Sequence, residues 1–206
     1  FDEKFIVPDY ENLNVVNLYS IIGKVFGIGS LLPPKISIES VDFSNINKVV
    51  FFIVDGLGYN FVRNRLETCT LFSNAKGHLM PITSTFPSTT STALTSIFTT
   101  LTPVEHGIIG YTMYLKSFGL IIDMLNFNPV YGWLPNESIM QEFVIEKDPW
   151  TAKVLEEGID VRIFTRFSTI DSGLSKIVYR GQKVSTYVLA TDLIVNLKKA
   201  LESSSQ

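Results

Sequence analysis

The fold is decided by the stretch Lys48-Val-Val-Phe-Phe-Ile-Val54, which is followed at once by Asp55-Gly-Leu-Gly58. Every position after the lysine is β-branched or aromatic, which is typical of a central parallel strand buried on both faces. The two glycines predict a tight turn, and residues 59–66 have the pattern of a helix. Strand, turn and helix in this order indicate an α/β protein.

Helices and strands are predicted to alternate along the rest of the chain. Apolar residues recur at helical spacing in some segments and form short β-branched runs in others. The predicted helices cover 14–26, 90–101, 151–157, 172–179 and 187–201; the predicted strands cover 78–83, 119–125 and 161–165; and 103–110 and 128–136 are predicted loops. In the last helix we expect five side chains to face inward: Leu189, Leu193, Ile194, Leu197 and Leu201. No repeat or linker divides the sequence, so we expect residues 1–206 to form a single α/β domain with a mainly parallel sheet flanked by helices.

Composition excludes several classes of protein. The 206 residues are 46% hydrophobic and 18% charged, with a formal net charge of -3, which argues against disorder and against a nucleic-acid-binding surface. One cysteine and two histidines can form neither a disulfide framework nor a zinc site of three imidazoles. The longest strictly apolar run, 49–54, is far too short to span a membrane. We therefore expect a protein of a reducing compartment, the cytoplasm.

Asp55 is the first candidate site residue. It follows the predicted buried strand, and open α/β sheets bind ligands at the carboxyl ends of their strands. A carboxylate oxygen beside a glycine turn suits a divalent cation. The alternative is a turn aspartate that bonds to its own backbone.

The second candidate lies in residues 83–102, of which thirteen of twenty are Ser or Thr. Pro87 ends any preceding strand, and Ser88 or Thr89 can cap a helix. Thr90 would then stand at the helix N-terminus, where free N–H groups favour an anion. A hydroxyl there that touches a cation could lose its proton and attack phosphorus. The alternative is a capping cluster with no chemistry.

Taken together, three segments resemble the type I phosphodiesterase/nucleotide pyrophosphatase family, which belongs to the alkaline phosphatase superfamily. They are the strand with its Asp-Gly-Leu-Gly turn, the run Phe86-Pro-Ser-Thr-Thr-Ser-Thr-Ala-Leu-Thr-Ser-Ile-Phe98, and Thr102-Pro-Val-Glu-His-Gly-Ile-Ile-Gly-Tyr111. The resemblance is good over 49–111 and loose elsewhere. It implies an alkaline phosphatase-like α/β core and a phosphoric ester hydrolase with two divalent metal ions, usually zinc. It also implies a Thr or Ser nucleophile, whose covalent phospho-enzyme is hydrolysed by water, and a small phosphodiester or nucleotide substrate.

The resemblance also assigns roles to individual residues. Asp55 matches the metal-binding aspartate, and Thr90 matches the nucleophile and a metal ligand, with Thr89 and Thr85 as alternatives. His106 is read as structural, bonding to loop backbone. We expect no role in catalysis for His78 or for Cys69, a packed or surface thiol. Trp133, in the loop 128–136, could line a substrate pocket or form a hydrophobic surface clamp.

The histidine ligands of the family have no counterpart here. They belong to an Asp-x-x-x-His element, an Asp-His pair and a further His, whereas this sequence has no histidine after His106. The second metal site is therefore incomplete in this chain. We expect the chain to be the N-terminal part of a longer enzyme with an incomplete core. The alternative is a short, catalytically inactive α/β remnant or anion-binding module.

Overall fold

A computed structural model describes residues 6–31, 36, 42–69, 79–142 and 145–203. Its α-helices are α1 Tyr19–Phe26, α2 Tyr59–Arg63, α3 Thr90–Thr99, α4 Pro103–His106, α5 Asn136–Glu142, α6 Trp150–Glu156, α7 Gly173–Val178 and α8 Ala190–Ser203. Short 3₁₀ helices cover Val15–Asn17, Gly29–Leu31 and Phe167–Thr169. The strands are β1 Thr112–Leu115, β2 Leu120–Asp123, β3 Asn128–Pro129, β4 Arg162–Arg166 and β5 Lys183–Tyr187.

The described strands form two small sheets. β1, β2 and β3 are antiparallel neighbours in that order, and β1 and β2 form a hairpin in which Thr112 pairs with Asp123 and Leu115 with Leu120. β4 and β5 pair in parallel, from Arg162 opposite Lys183 to Arg166 opposite Tyr187. The predicted α/β class is confirmed, but a mainly parallel sheet is not what the described residues show.

Helix α3 lies at the centre of the packing. It contacts the 3₁₀ helix Val15–Asn17 and helices α4, α6 and α7. Ile97 and Phe98 of α3 belong to a cluster of buried residues that also contains Ile108, Ile122, Met124, Phe127, Ile139, Ile145, Leu174 and Val178. A second cluster contains Ile22, Ile28, Leu31, Trp150 and Val154. The Trp150 indole N–H donates to the Ile97 carbonyl at 3.0 Å and so links α6 to α3.

The segment before α3 is held by the N-terminal part of the chain. Thr83 and Asn14 form a parallel bridge, and the Asn14 amide nitrogen donates to Thr83 Oγ1 at 2.9 Å and to the Ser84 carbonyl at 3.0 Å. Asn14 is fully buried, so these hydrogen bonds satisfy a polar group that would otherwise be costly to bury. They fix the direction from which the chain enters α3.

The predicted buried strand over 48–54 is wrong. Residues 49–54 belong to no helix and to neither sheet, and each of them is 37% to 57% exposed. Contacts between the segment and other described residues include a hydrogen bond from the Lys48 ammonium to the Leu201 carbonyl at 2.6 Å and an edge-to-face contact of the Phe51 ring with Trp150 at 6.2 Å. A strand needs a hydrogen-bonding neighbour, and among the described strands none pairs with this segment.

Most predicted helices are confirmed, with shifted ends. The helix predicted over 14–26 is split into a 3₁₀ turn and α1, and α3 begins at the predicted Thr90. The loop predicted over 103–110 contains α4, because Thr102 and Glu105 form a capping box around Pro103. The strand predicted over 119–125 is the antiparallel β2, and the loop predicted over 128–136 begins with β3.

The C-terminal prediction needs a larger correction. Strand β5 precedes a helix that begins at Ala190, where the sequence pattern had predicted a helix from 187. Leu189 and Ile194 are mainly exposed, whereas Leu193, Leu197 and Leu201 are half-buried.

Of the strand predicted over 78–83, the structure describes only the part from Leu79, and His78 lies outside the described residues. Within the described ranges, no helix combines the length and the hydropathy that a membrane span requires.

Candidate active site

The beginning of α3 is set by local chemistry. Thr89 has extended backbone angles, φ -81° and ψ 155°, and its Oγ1 accepts a hydrogen bond from the Thr92 N–H at 3.4 Å. This is the N-cap geometry that threonine favours. Thr90 is consequently the first residue of the helix.

The structure brings Asp55 and Thr90 together. Thr90 Oγ1 donates a hydrogen bond to Asp55 Oδ2 at 3.1 Å, although the two residues are 35 positions apart in the sequence. Asp55 stands in the turn after the extended segment, and the next residue, Gly56, has a φ of 74°, which favours glycine. Asp55 is exposed and Thr90 is half-buried, so a solute can reach both side chains.

The two alternative threonines have different surroundings. Thr85 is 3% exposed, and its hydroxyl donates to the Pro87 carbonyl at 3.1 Å. Thr89 Oγ1 is occupied as the helix cap and also lies 2.9 Å from Thr92 Oγ1. Of the three threonines, Thr90 is therefore the one whose hydroxyl meets the predicted metal-binding carboxylate.

The buried face of α3 is lined by hydroxyl groups. Ser91, Thr92, Thr95, Ser96 and Thr99 are all at most 1% exposed. Thr95 and Thr99 donate to carbonyls one turn earlier in the helix, both at 2.7 Å. Two others reach out of the helix: Ser91 Oγ donates to the Gly110 carbonyl at 3.0 Å, and Ser96 Oγ lies 2.9 Å from His106 Nε2.

His106 bonds to loop backbone, as the sequence predicted. Its Nδ1 accepts the Ile108 N–H at 3.0 Å, so the ring proton lies on Nε2, which donates to Ser96 Oγ. The ring is buried, and burial lowers the pKa of His106 from 6.5 to about 4. The histidine is therefore neutral at physiological pH. The pairing with Ser96 was not predicted, although the hydroxyls spaced along one face of α3 were a signal that could have pointed to it.

The described residues supply only part of a metal site. Asp55 Oδ2 and Thr90 Oγ1 lie close enough to contact one divalent cation, and a carboxylate and a hydroxyl oxygen suit such an ion. Across the described ranges, however, no group of three His, Cys, Asp or Glu side chains lies together. The implied pair of zinc ions therefore does not fit these residues, because a zinc ion takes about four ligands.

The loop with Trp133 forms one wall of a shallow concavity. The concavity has a volume of about 520 Å³ and is lined by Asn128, Pro129, Gly132, Trp133, Leu134, Pro135 and Glu137. Trp133 is 84% exposed, so its ring is in contact with solvent.

Cys69 is half-buried, which agrees with the expectation of a packed or surface thiol.

Comparison with protein families identifies the chain. The family model described as Type I phosphodiesterase / nucleotide pyrophosphatase matches residues 49–172, which is more than half of the sequence. The chain belongs to this family. The match includes Asp55, Thr90, His106 and Trp133, and it extends well beyond the segment 49–111 on which the resemblance was recognised.

Membership places the chain among hydrolases of the phosphodiesterase and pyrophosphatase type. Members of the family are generally metal-dependent and act on small phosphodiester or nucleotide substrates. Comparisons with curated proteins and with solved structures each gave no match.

Proposed function

We propose that the protein hydrolyses phosphoric diester or pyrophosphate bonds of small substrates and that Thr90 is the nucleophile. The observation that carries the proposal is the 3.1 Å hydrogen bond from Thr90 to Asp55 at the N-terminus of α3, in a chain of this family. We place the activity in the cytoplasm, as the single cysteine suggests.

Asp55 orients the nucleophile. Because its carboxylate holds the hydroxyl hydrogen of Thr90, a lone pair of Oγ1 is left to face a phosphorus atom. As the Oγ1–P bond forms, the hydroxyl proton passes to the Asp55 carboxylate that accepts its hydrogen bond. The displaced alcohol or phosphate leaves with the electron pair of its P–O bond and takes up a proton from Asp55 or from water. The product is a phosphothreonine ester. Attack of water on the same phosphorus then releases the second product and restores the Thr90 hydroxyl.

The N-terminus of α3 favours the charge of the substrate. Thr90 and Ser91 are the first two residues of a ten-residue helix, and backbone N–H groups at this position point out of the helix. Such groups, together with the positive end of the helix dipole, stabilise phosphoryl oxygens. The helix start thus supplies a donor set where negative charge develops in the transition state.

A single divalent cation, zinc in our proposal, would take one ligand each from Asp55 and Thr90, and its remaining ligands would have to come from outside the described residues. When bound, it would lower the pKa of the Thr90 hydroxyl and neutralise phosphate charge. The second metal ion that the family resemblance implies has no ligand set among the described residues.

The test compares Thr90→Ala with Thr90→Ser in the full chain. With an aryl phosphodiester and added zinc, Thr90→Ala is expected to abolish turnover, whereas Thr90→Ser retains a nucleophilic hydroxyl and measurable activity. In wild-type protein quenched during turnover, mass spectrometry of peptides should find a phosphoryl group on Thr90. Retained turnover in Thr90→Ala would refute the assignment.

Asp55→Asn tests the second residue. This change keeps the size of the side chain and removes its charge, so both the metal content and the rate are expected to fall. The metal content is measured after dialysis against zinc. Asp9→Asn serves as the control, because the Asp9 carboxylate accepts hydrogen bonds from the backbone of Asn12 and Leu13. Equal metal content in the two variants would contradict the role of Asp55.

The alternative is an anion-binding module without catalysis. It is favoured by one observation: the chain has only two histidines, and none follows His106. The same assay distinguishes the two functions. A wild-type chain that binds inorganic phosphate in a Thr90-dependent manner but shows no turnover with zinc would support the module.

A further inference from the structure

The segment that follows α3 is attached to the helix at several points: two of them involve the hydroxyls of Ser91 and Ser96, and the His106 ring also interacts with the backbone of Thr92. Ser91 Oγ donates to the Gly110 carbonyl at 3.0 Å, and His106 Nε2 lies 2.9 Å from Ser96 Oγ. Ser91 and Ser96 are fully buried, and His106 is 5% exposed. Buried hydrogen bonds of this kind are costly to break, because each group left behind is unsatisfied.

The imidazole of His106 also shapes the loop itself. Its Nδ1 accepts the N–H of Ile108, a residue that is fully buried in the main cluster. One ring therefore connects α3, through Ser96, with the buried backbone of the loop that carries Gly110. Replacement of the ring would therefore remove a hydrogen bond to Ser96 of α3 and would also alter the loop whose Gly110 carbonyl bonds to Ser91.

Two attachment points constrain a helix more than one does. Ser91 and Ser96 are five residues apart, which corresponds to about 7.5 Å along the helix axis. The core packing of Ile97 and Phe98 and the bond from Trp150 already hold the helix. Two hydrogen bonds from different turns restrict its rotation and its shift along the axis further than one would. A rotation of about 20° would move a helix Cα by about 0.8 Å. Misplacement of a reacting group by about 1 Å can cost about 100-fold in rate.

We propose that His106, acting through Ser96, is a positioning residue that fixes the rotation of α3 and thereby aims the Thr90 hydroxyl. The inference rests on the proposed function, because the aim matters only if Thr90 attacks the substrate. His106 itself does not touch the substrate. The two effects can be separated by experiment, because Thr95 carries another buried hydroxyl of α3 that bonds within the helix and does not reach the loop.

Ser96→Ala is the direct test, with Thr95→Val as its matched control. Both changes remove a fully buried hydroxyl from the same helix, but Thr95 donates within α3, to the Ser91 carbonyl at 2.7 Å. We expect Ser96→Ala to lower kcat at least tenfold with KM unchanged. Thr95→Val should keep kcat within about twofold of wild type. Equal kcat values in the two variants at comparable melting temperatures would overturn the proposal.

Replacing His106 gives a rescue test. In His106→Gln the amide nitrogen can still donate to Ser96, whereas His106→Ala offers no donor. We expect His106→Gln to recover most of the kcat that His106→Ala loses. If the two variants differ in melting temperature but not in kcat, the role of His106 is structural only.

Amide hydrogen exchange tests the attachment without an assay of activity. The Ala93 N–H donates to the Thr89 carbonyl in the first turn of α3, at 2.9 Å, and so reports on the helix start. Its exchange should accelerate at least tenfold in Ser96→Ala and stay unchanged in Thr95→Val. If wild type shows no turnover but the exchange differs in this way, the proposed function fails and the attachment stands. Unchanged exchange in Ser96→Ala overturns the attachment.

Discussion

Helix α3 and the segment 49–54 reverse the usual relation between polarity and burial. Five hydroxyl-bearing side chains of α3 are at most 1% exposed, whereas six apolar side chains of 49–54 are 37% to 57% exposed. The two regions differ in the groups that lie beside their side chains. Each of the five hydroxyls has a hydrogen-bond partner, while among the described strands no neighbour covers the apolar segment.

This contrast shows that burial is decided by the surroundings as well as by the residue. A hydroxyl can be buried at little cost when an acceptor is already in place. An apolar strand gains from burial only where a sheet or a helix layer receives it. The Thr90–Asp55 contact is where the two regions meet, because α3 begins at Thr90 and Asp55 directly follows the segment 49–54.

The largest expected effect compares two phenylalanines, one from each region. Phe98 of α3 is 6% exposed and meets Tyr179 edge to face, whereas Phe52 is 56% exposed. Phe98→Ala should lower the free energy of unfolding by about 3–5 kcal/mol, because it opens a cavity in the core. Phe52→Ala should change it by less than about 0.5 kcal/mol. Urea unfolding of both variants checks this. A large loss in Phe52→Ala would show that the segment is buried in solution, as its sequence predicts.

The second effect is a loss of stability in acid through His106. Burial lowers the pKa of His106 from 6.5 in the unfolded chain to about 4 in the folded protein. Between these values the unfolded chain binds a proton that the folded protein does not. Stability is therefore full above about pH 6.5 and declines towards pH 4, by about 2 kcal/mol at pH 5.

Comparison with His106→Asn isolates this contribution from that of the carboxylates. The free energy of unfolding is measured in urea at pH 7.5 and pH 5 for both proteins. The variant lacks the imidazole. Between pH 7.5 and pH 5 its free energy of unfolding should therefore fall by about 2 kcal/mol less than that of the wild type. An identical pH dependence in the two proteins would contradict the burial of a neutral ring.

The smallest effect compares two serines near the start of α3. Ser91 is buried and donates to the Gly110 carbonyl, whereas Ser88 is exposed. Ser91→Ala should lower the free energy of unfolding by about 1 kcal/mol, because the half-buried Gly110 carbonyl loses its hydrogen-bond partner. Ser88→Ala should be nearly neutral. Similar losses from both changes, measured by thermal unfolding, would mean that the hydroxyl contact with Gly110 contributes nothing.

Local chemistry made part of the site predictable. The start of α3 follows from the cap residue Thr89 and from Pro87 before it. The bond of His106 to loop backbone was expected from the resemblance of its Pro-x-x-His-Gly-Ile element to the family, and the structure shows that bond at Ile108. The resemblance to the family named Asp55 and Thr90 together, and their side chains meet. Their roles in metal binding and catalysis stay predictions.

Pairing between distant segments was less predictable. The strand pattern at 48–54 is strong, but the pattern says nothing about which strand would lie beside it. The turn between β1 and β2 covers residues 116–119 and ends at Gly119, whose φ is 62°. The sequence pattern predicts β2 but not β1, its partner in the hairpin. Strand β5 was missed because three of its five residues, Lys183, Ser185 and Thr186, are polar, so no apolar run or strict alternation marks it. The links of Ser91 and Ser96 to the following loop likewise depend on tertiary packing.

The two tryptophans give the molecule a built-in optical probe. Trp150 is buried and its indole N–H is bonded to Ile97 of α3, whereas Trp133 is exposed to water. Iodide, a quencher that stays in solvent, will therefore reach Trp133 first, and the emission that resists it will come from beside α3. In Trp133→Phe that emission stands alone, so loosening of the helix that carries Thr90 becomes visible as a red shift in fluorescence.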